Sequence, residues 1–296
     1  MVTKERRENG RKVHPDPKID YLTRKYELPK YGWLRLVRKA RALDVVVKPL
    51  LELIPDMGSP EDMSSFLHSA LAPLLNLPPE KRAAELTRFR KKFEESVERL
   101  KSDTELYGKQ ITGKDEAEKM TRGITGHNKF LAQLSGLDRT RLAERIIEVA
   151  SYSNGAAWTF NRVTPAFEEL RAAGFKGPRL AKLSLSLLDL EELMLKQVRR
   201  EFIVNRQERE KRGDTNALFL SFQDFHYAHD DLVKISMLLS KLANEYKTEE
   251  DKYNAVNYAI DLLKRRGYGE IRSFMTSLPF NTTGKAVYNY IRAHSN

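Results

Sequence analysis

From Gly32 onward apolar residues return at intervals of three and four, and no convincing run of alternating apolar and polar residues interrupts them. Trp33, Leu34, Val37, Ala40, Val45, Leu50 and Leu53 recur in this way, and so do Leu86, Phe89, Phe93, Val97 and Leu100. Only a helix puts such positions on one face, because its 3.6-residue turn brings i, i+3, i+4 and i+7 together. The chain is therefore predicted to be all-α. No repeat of fixed period is visible, which argues against a solenoid.

Local signals place the helices. Ser59-Pro60-Glu61-Asp62 supplies an N-cap, a proline at the first helical position and acid in the first turn, and predicts a helix to residue 76. Pro78-Pro79-Glu80 opens another that runs through residue 100. Pro49 predicts a break or kink in the helix before it. Gly108, Gly113, Gly123, Gly126 and Gly136 make residues 107–136 the most loop-rich internal stretch and the expected junction between two lobes. Beyond it, helices are predicted over 138–152, 156–173, 178–212, 221–245, 248–266 and 284–294. Asp138 caps the first, and Thr248-Glu249-Glu250-Asp251 opens the fifth. The helix over 178–212 has an apolar first half, expected in the core, and a charged second half, expected to project. The predicted organisation is a basic extended arm (1–30), an N-terminal helical lobe (31–136), a C-terminal helical lobe (137–279) and a short C-terminal extension (280–296).

With 296 residues, 41% of them hydrophobic and 31% charged, the chain has enough apolar surface for a substantial core and enough charge for many exposed helix faces. Its longest apolar stretch, residues 43–53, is interrupted by Asp44, Lys48 and Glu52, well short of the roughly 20 apolar residues a membrane span needs. The absence of cysteine removes disulfides, zinc ribbons, iron–sulfur clusters and thiol nucleophiles together. The charged N-terminal stretch has no hydrophobic region behind it. The expected location is the cytoplasm, or a virion if the source is viral, with the nucleus as the alternative.

Motifs that carry chemistry are scarce. Residues 108–115 fit G-x-x-x-x-G-K but end in Asp115, where a phosphate-binding loop needs a hydroxyl on magnesium, and no strand precedes them. Arg122-Gly123-Ile124-Thr125-Gly126-His127 has the Gly-x-x-Gly spacing of KH domains without the strands of that fold, and reads as a flexible basic surface loop. His226 and His229 lie near Asp224, Asp230 and Asp231, but a third ligand at compatible spacing is missing, so no metal is assigned. Neither G-x-S-x-G nor H-E-x-x-H occurs. An enzyme is the least favoured class, and no catalytic residue or cofactor is assigned.

Charge is more informative. The first 41 residues hold thirteen Lys and Arg against five Asp and Glu, so +8 of the formal +11 sits at one end. Lysine and arginine that neutralise phosphates release condensed counterions, which makes a polyanion the expected partner. In that arm Tyr21, Tyr26, Tyr31 and Trp33 alternate with basic residues, placed to stack on bases or to anchor on a neighbouring subunit. Residues 171–212 carry eleven bases and six acids, whereas 214–261 carry four bases and nine acids, an acidic region able to receive a basic arm from another copy. The candidate nucleic-acid-binding residues are Lys91, Lys92, Arg122, Lys129, Arg162, Arg179, Lys182, Arg199 and Arg200, with Trp158 to stack on a base.

In size, charge and arm layout this plan resembles the nucleocapsid proteins of segmented negative-strand RNA viruses and, more broadly, the helical coat proteins of filamentous viruses. The resemblance covers layout across most of the chain and rests on no shared motif. It implies a self-assembling nucleoprotein that coats single-stranded RNA irrespective of sequence. Copies would be joined head to tail through the arm, and phosphate would lie in a groove between the lobes. Two other classes compete: a double-stranded-DNA-binding replication or partition protein with a recognition helix, and a helical scaffold whose charged patches serve protein partners.

Overall fold

The computed structural model describes residues 43–53, 60–107, 114–153, 156–213, 217–277 and 283–293. The arm, including Tyr21, Tyr26, Tyr31 and Trp33, lies outside them. Every regular element among the described residues is helical, with no strand. Compact units divide at Val45, and the helices below belong to the unit Val46–Asn296. Residues 43–52 are helical through Pro49. The elements that follow are α1 (Pro60–Leu71), a 3-10 turn (Ala72–Asn76), α2 (Pro79–Tyr107), α3 (Lys114–Leu131), α4 (Gly136–Ala150) and α5 (Ala156–Ala172). Then come α6 (Gly177–Glu210), α7 (Ala217–Asn244), α8 (Glu249–Arg265), α9 (Tyr268–Ser277) and α10 (Gly284–Ala293). None of the described helices is long and apolar enough to cross a membrane.

Burial follows the spacing read from the sequence. On α1, Met63, Phe66, Leu67, Ala70 and Leu71 are buried, a complete i, i+3, i+4, i+7, i+8 stripe. On α2 the buried stripe is Phe89, Phe93, Val97 and Leu100, with the Phe89 and Phe93 rings stacked. Helix α5 packs against α3 and α7 and crosses the middle of the fold. Its Phe160, Val163, Ala166, Phe167 and Leu170 are wholly enclosed, while Pro165, which cannot complete an internal helix bond, stays on the outer side. The end of α5 is a Schellman turn. Phe175 N–H donates to the Leu170 carbonyl and Gly174 N–H to that of Arg171, with Gly174 at φ +99° and Phe175 folded back into the core. Thr248 caps α8 as predicted: its hydroxyl oxygen accepts from Asp251 N–H at 3.1 Å. Replacing Thr248 with alanine should therefore cost about 1 kcal/mol in urea unfolding.

The expected lobe junction near Gly136 lies within the unit Val46–Asn296. Rings from both sides of it meet in one interior: Phe66 and His127 contact Phe160, and His127 and Phe130 contact Phe167. Likewise α10, at the C-terminal end, packs on α7, with Val287 buried and Gly284 against the Lys241 carbonyl.

One local expectation is overturned. The segment read as a flexible basic loop, residues 122–127, is the middle of α3. Gly123 and Gly126, three apart on one face, let α3 approach α5 closely. A Cβ on Gly123 would stand 2.5 Å from the Phe160 carbonyl carbon, and one on Gly126 would stand 3.2 Å from the Thr164 methyl. The glycines thus serve helix crossing rather than a turn. His127 behind them is fully buried and bonded to Thr164 Oγ1 at 3.1 Å; burial pulls its pKa down to about 3, so its ring is neutral.

Candidate nucleic-acid interface

The predicted cations sit on four helices and meet different fates. On α2, Lys91 is exposed, 3.8 Å from Glu95, whereas Lys92 turns toward α4 and reaches Glu144 at 3.3 Å and Glu148 at 3.6 Å. Arg162 of α5 faces Asp230 of α7 at 3.5 Å. Arg179, in the first turn of α6, is held by Glu249 and Glu250 at the start of α8 and lies near the Tyr253 ring. Arg199 is half-buried. Arg122 and Lys129 share an outer face of α3, seven residues and about 10.5 Å apart. These two, with Lys182 and Arg200 on α6, are exposed and have no carboxylate partner among the described residues. Trp158 lies in the first turn of α5, with its side chain outside the described residues.

The candidates therefore stand on four different helices, α2, α3, α5 and α6. Lys182 and Arg199 alone are about 26 Å apart along α6. Lys92 instead belongs to a seam of alternating charge that ties four helices together. Arg88 joins Lys92 on Glu144; Glu148 holds Arg145, and Arg145 holds Asp189 and Glu192 of α6. Lys196 closes on Glu192 at 2.6 Å, and Lys264 of α8 reaches Asp189 at 3.5 Å. Sequence reading counted Lys92 as available because its partners lie far along the chain.

Of the residues considered for a metal, Asp230, Asp231 and His229 are each engaged by other side chains. Asp230 is engaged by Arg162, and Asp231 by the Tyr268 hydroxyl at 3.2 Å and by Lys234. Burial raises the Asp231 pKa, and burial with the Asp231 charge raises that of Tyr268. No group of three metal-ligating side chains occurs among the described residues.

His229 leads to an arrangement the sequence did not suggest. It is buried on α7. Its Nδ1 faces Glu191 Oε1 of α6, and its Nε2 lies 3.2 Å from Ser153 Oγ, just beyond α4. A carboxylate only accepts, so Nδ1 donates to Glu191, and in the neutral ring Nε2 accepts from the serine hydroxyl. The connectivity is that of a nucleophile, a base and the group that orients the base. Ser153 is 1% exposed, so its hydroxyl is buried with the pair. What the arrangement does in this state is tie α4, α6 and α7 through one buried polar chain. The second oxygen of Glu191, Oε2, is buried without a hydrogen-bond partner among the described residues.

Comparison with protein-family models, with curated proteins and with solved structures returned no match.

Proposed function

We propose that this chain binds single-stranded RNA irrespective of sequence and assembles with copies of itself to coat it, in the manner of a nucleocapsid or coat protein. The observation that carries this reading is the segregation of charge: +8 in the first 41 residues against about +3 in the following 255. A basic segment ahead of a near-neutral helical unit gives strong, salt-sensitive attraction to phosphate without a means of reading bases. Exposed Arg122, Lys129, Lys182 and Arg200 support it as further phosphate contacts. Two of them stand on α3 and two on α6, and the reading takes RNA to contact both helices as well as the arm.

Protein purified at low salt should carry nucleic acid, seen as a raised ratio of absorbance at 260 and 280 nm in a large light-scattering particle that a high-salt wash dissolves. Replacing Arg122, Lys129, Lys182 and Arg200 together with glutamine should weaken binding equally for homopolymeric and mixed RNA and flatten the salt dependence by up to about 3 in log–log slope. Removing residues 1–30 should abolish the particle and leave the helical unit folded. Clean protein that ignores added RNA at low salt would overturn the proposal in favour of a protein-binding scaffold.

A further inference from the structure

At the C-terminal end of α4, side chains from α2 and α6 close on one tyrosine. Arg99 of α2 places its guanidinium 4.1 Å from the centre of the Tyr152 ring, and Lys196 of α6 places its ammonium 4.7 Å from it, so the two charges are no further apart than the sum of those distances. Arg99 is half-buried and donates to Ser151 Oγ at 2.7 Å; that hydroxyl, wholly buried, donates onward to the Glu148 carbonyl. A ring and a hydroxyl thus fix the guanidinium, and neither carries a charge that would neutralise it. One turn beyond Lys196, on the same face of α6, stands Arg200. Neither Arg99 nor Arg200 has a carboxylate partner among the described residues.

The carboxylates nearby are engaged elsewhere. Lys196 is paired with Glu192, which it shares with Arg145. Glu98 is paired with Lys101, and Glu201, about 100° around α6 from Arg200, accepts from the Gln197 amide. The end of α4 adds only the partial charge of a helix terminus, about half an elementary charge. The Ser151 bond uses one of the five N–H groups of a guanidinium, and the planar fork that remains suits the oxygens of a phosphate. An arginine already oriented by neutral contacts also loses little freedom when an anion arrives.

We propose that Arg99 and Arg200, with Lys196 alongside, grip a backbone phosphate of single-stranded RNA at the end of α4. This rests on the nucleic-acid reading above and adds to it a contact, Arg99, that charge counting along the chain does not single out. The grip is on phosphate alone, so it adds affinity without adding sequence preference.

The test follows the binding of a fluorescently labelled 12-mer RNA across a range of salt, using the full chain and its R99Q/R200Q, R99K, R200Q and K81Q/K285Q variants. Lys81 of α2 and Lys285 of α10 are exposed and have no carboxylate partner among the described residues, so their replacement removes the same charge elsewhere. One phosphate contact on a single strand contributes about 0.7 to the log–log salt slope, so R99Q/R200Q should flatten the slope by about 1.4 and weaken binding roughly 25-fold at 0.1 M salt. R99K keeps the charge and should keep the slope, and K81Q/K285Q should change slope and affinity far less than R99Q/R200Q. Arg99 also ties α2 to α4, so R200Q provides a readout free of that tie: it should flatten the slope by about 0.7 at an unchanged melting temperature. If R200Q leaves the slope unchanged, or if R99Q/R200Q and K81Q/K285Q bind alike, the site is refuted while RNA binding stands. If the wild type ignores the RNA at low salt, the proposed function fails first.

Discussion

Replacing His229 with leucine should lower the stability of the fold by about 3–5 kcal/mol, the largest loss expected from any single side-chain change here. The substitution leaves Glu191, itself wholly buried, facing an apolar group on one oxygen while its other oxygen already lacks a partner. An uncompensated buried carboxylate must either be protonated or draw in water, and both disrupt the packing of α6 on α7. Urea unfolding followed by circular dichroism reads the effect directly. Replacing both Glu191 and His229 with leucine should recover most of the loss, because the pair is then removed as a unit. If the single variant lost less than about 1 kcal/mol, the figure for an ordinary neutral hydrogen bond, the pair would not be holding those helices.

A second large effect is expected at Gly123. Alanine normally improves a helix interior by about 0.5–1 kcal/mol over glycine, but here the added methyl would meet the backbone of α5 at 2.5–2.7 Å, at the Phe160 carbonyl and the Asn161 nitrogen. Backbone cannot swing aside as a side chain can, so α3 would have to lift off α5, and a net loss of about 2 kcal/mol or more is expected. Gly126→Ala is the internal control. Its methyl would meet only the Thr164 side chain, at 3.2 Å and beyond, and the two opposing effects should nearly cancel. Equal melting temperatures for the two variants would mean that the α3–α5 contact is looser than described.

Those glycines also mark where the sequence stopped being legible. Periodic apolar residues and cap signals are local properties, and they located nearly every helix, α8 with its Thr248 cap among them. Glycine is locally ambiguous: the same residue that permits a turn also permits close helix crossing, and only the presence of α5 decides which. Helix α9 was missed for a related reason. Gly267 and Gly269 flank its first residue and weaken the local helix signal, while the bond that starts it, Tyr268 N–H to Gln197 Oε1 at 2.7 Å, comes from α6. The buried chain of Ser153, Glu191 and His229 draws on three distant segments, and no spacing rule joins them. Candidate cations were the least legible. Charge is written in the sequence, but a partner such as Asp189 for Arg145 is supplied by the fold.

The charge seam through α2, α4, α6 and α8 bears on kinetics. Its cations and carboxylates are nearly equal in number and lie within contact distance, so their fields cancel a short way from the surface. At a Debye length of about 8 Å in physiological salt, an approaching polyanion feels little of these residues, whatever they contribute to cohesion. Long-range steering, and with it the rate of encounter, falls to the charges left outside the seam, which are densest in the first 41 residues. If the chain captures a polyanion as proposed, cohesion and capture fall to different sets of arginines and lysines, and either can change without retuning the other.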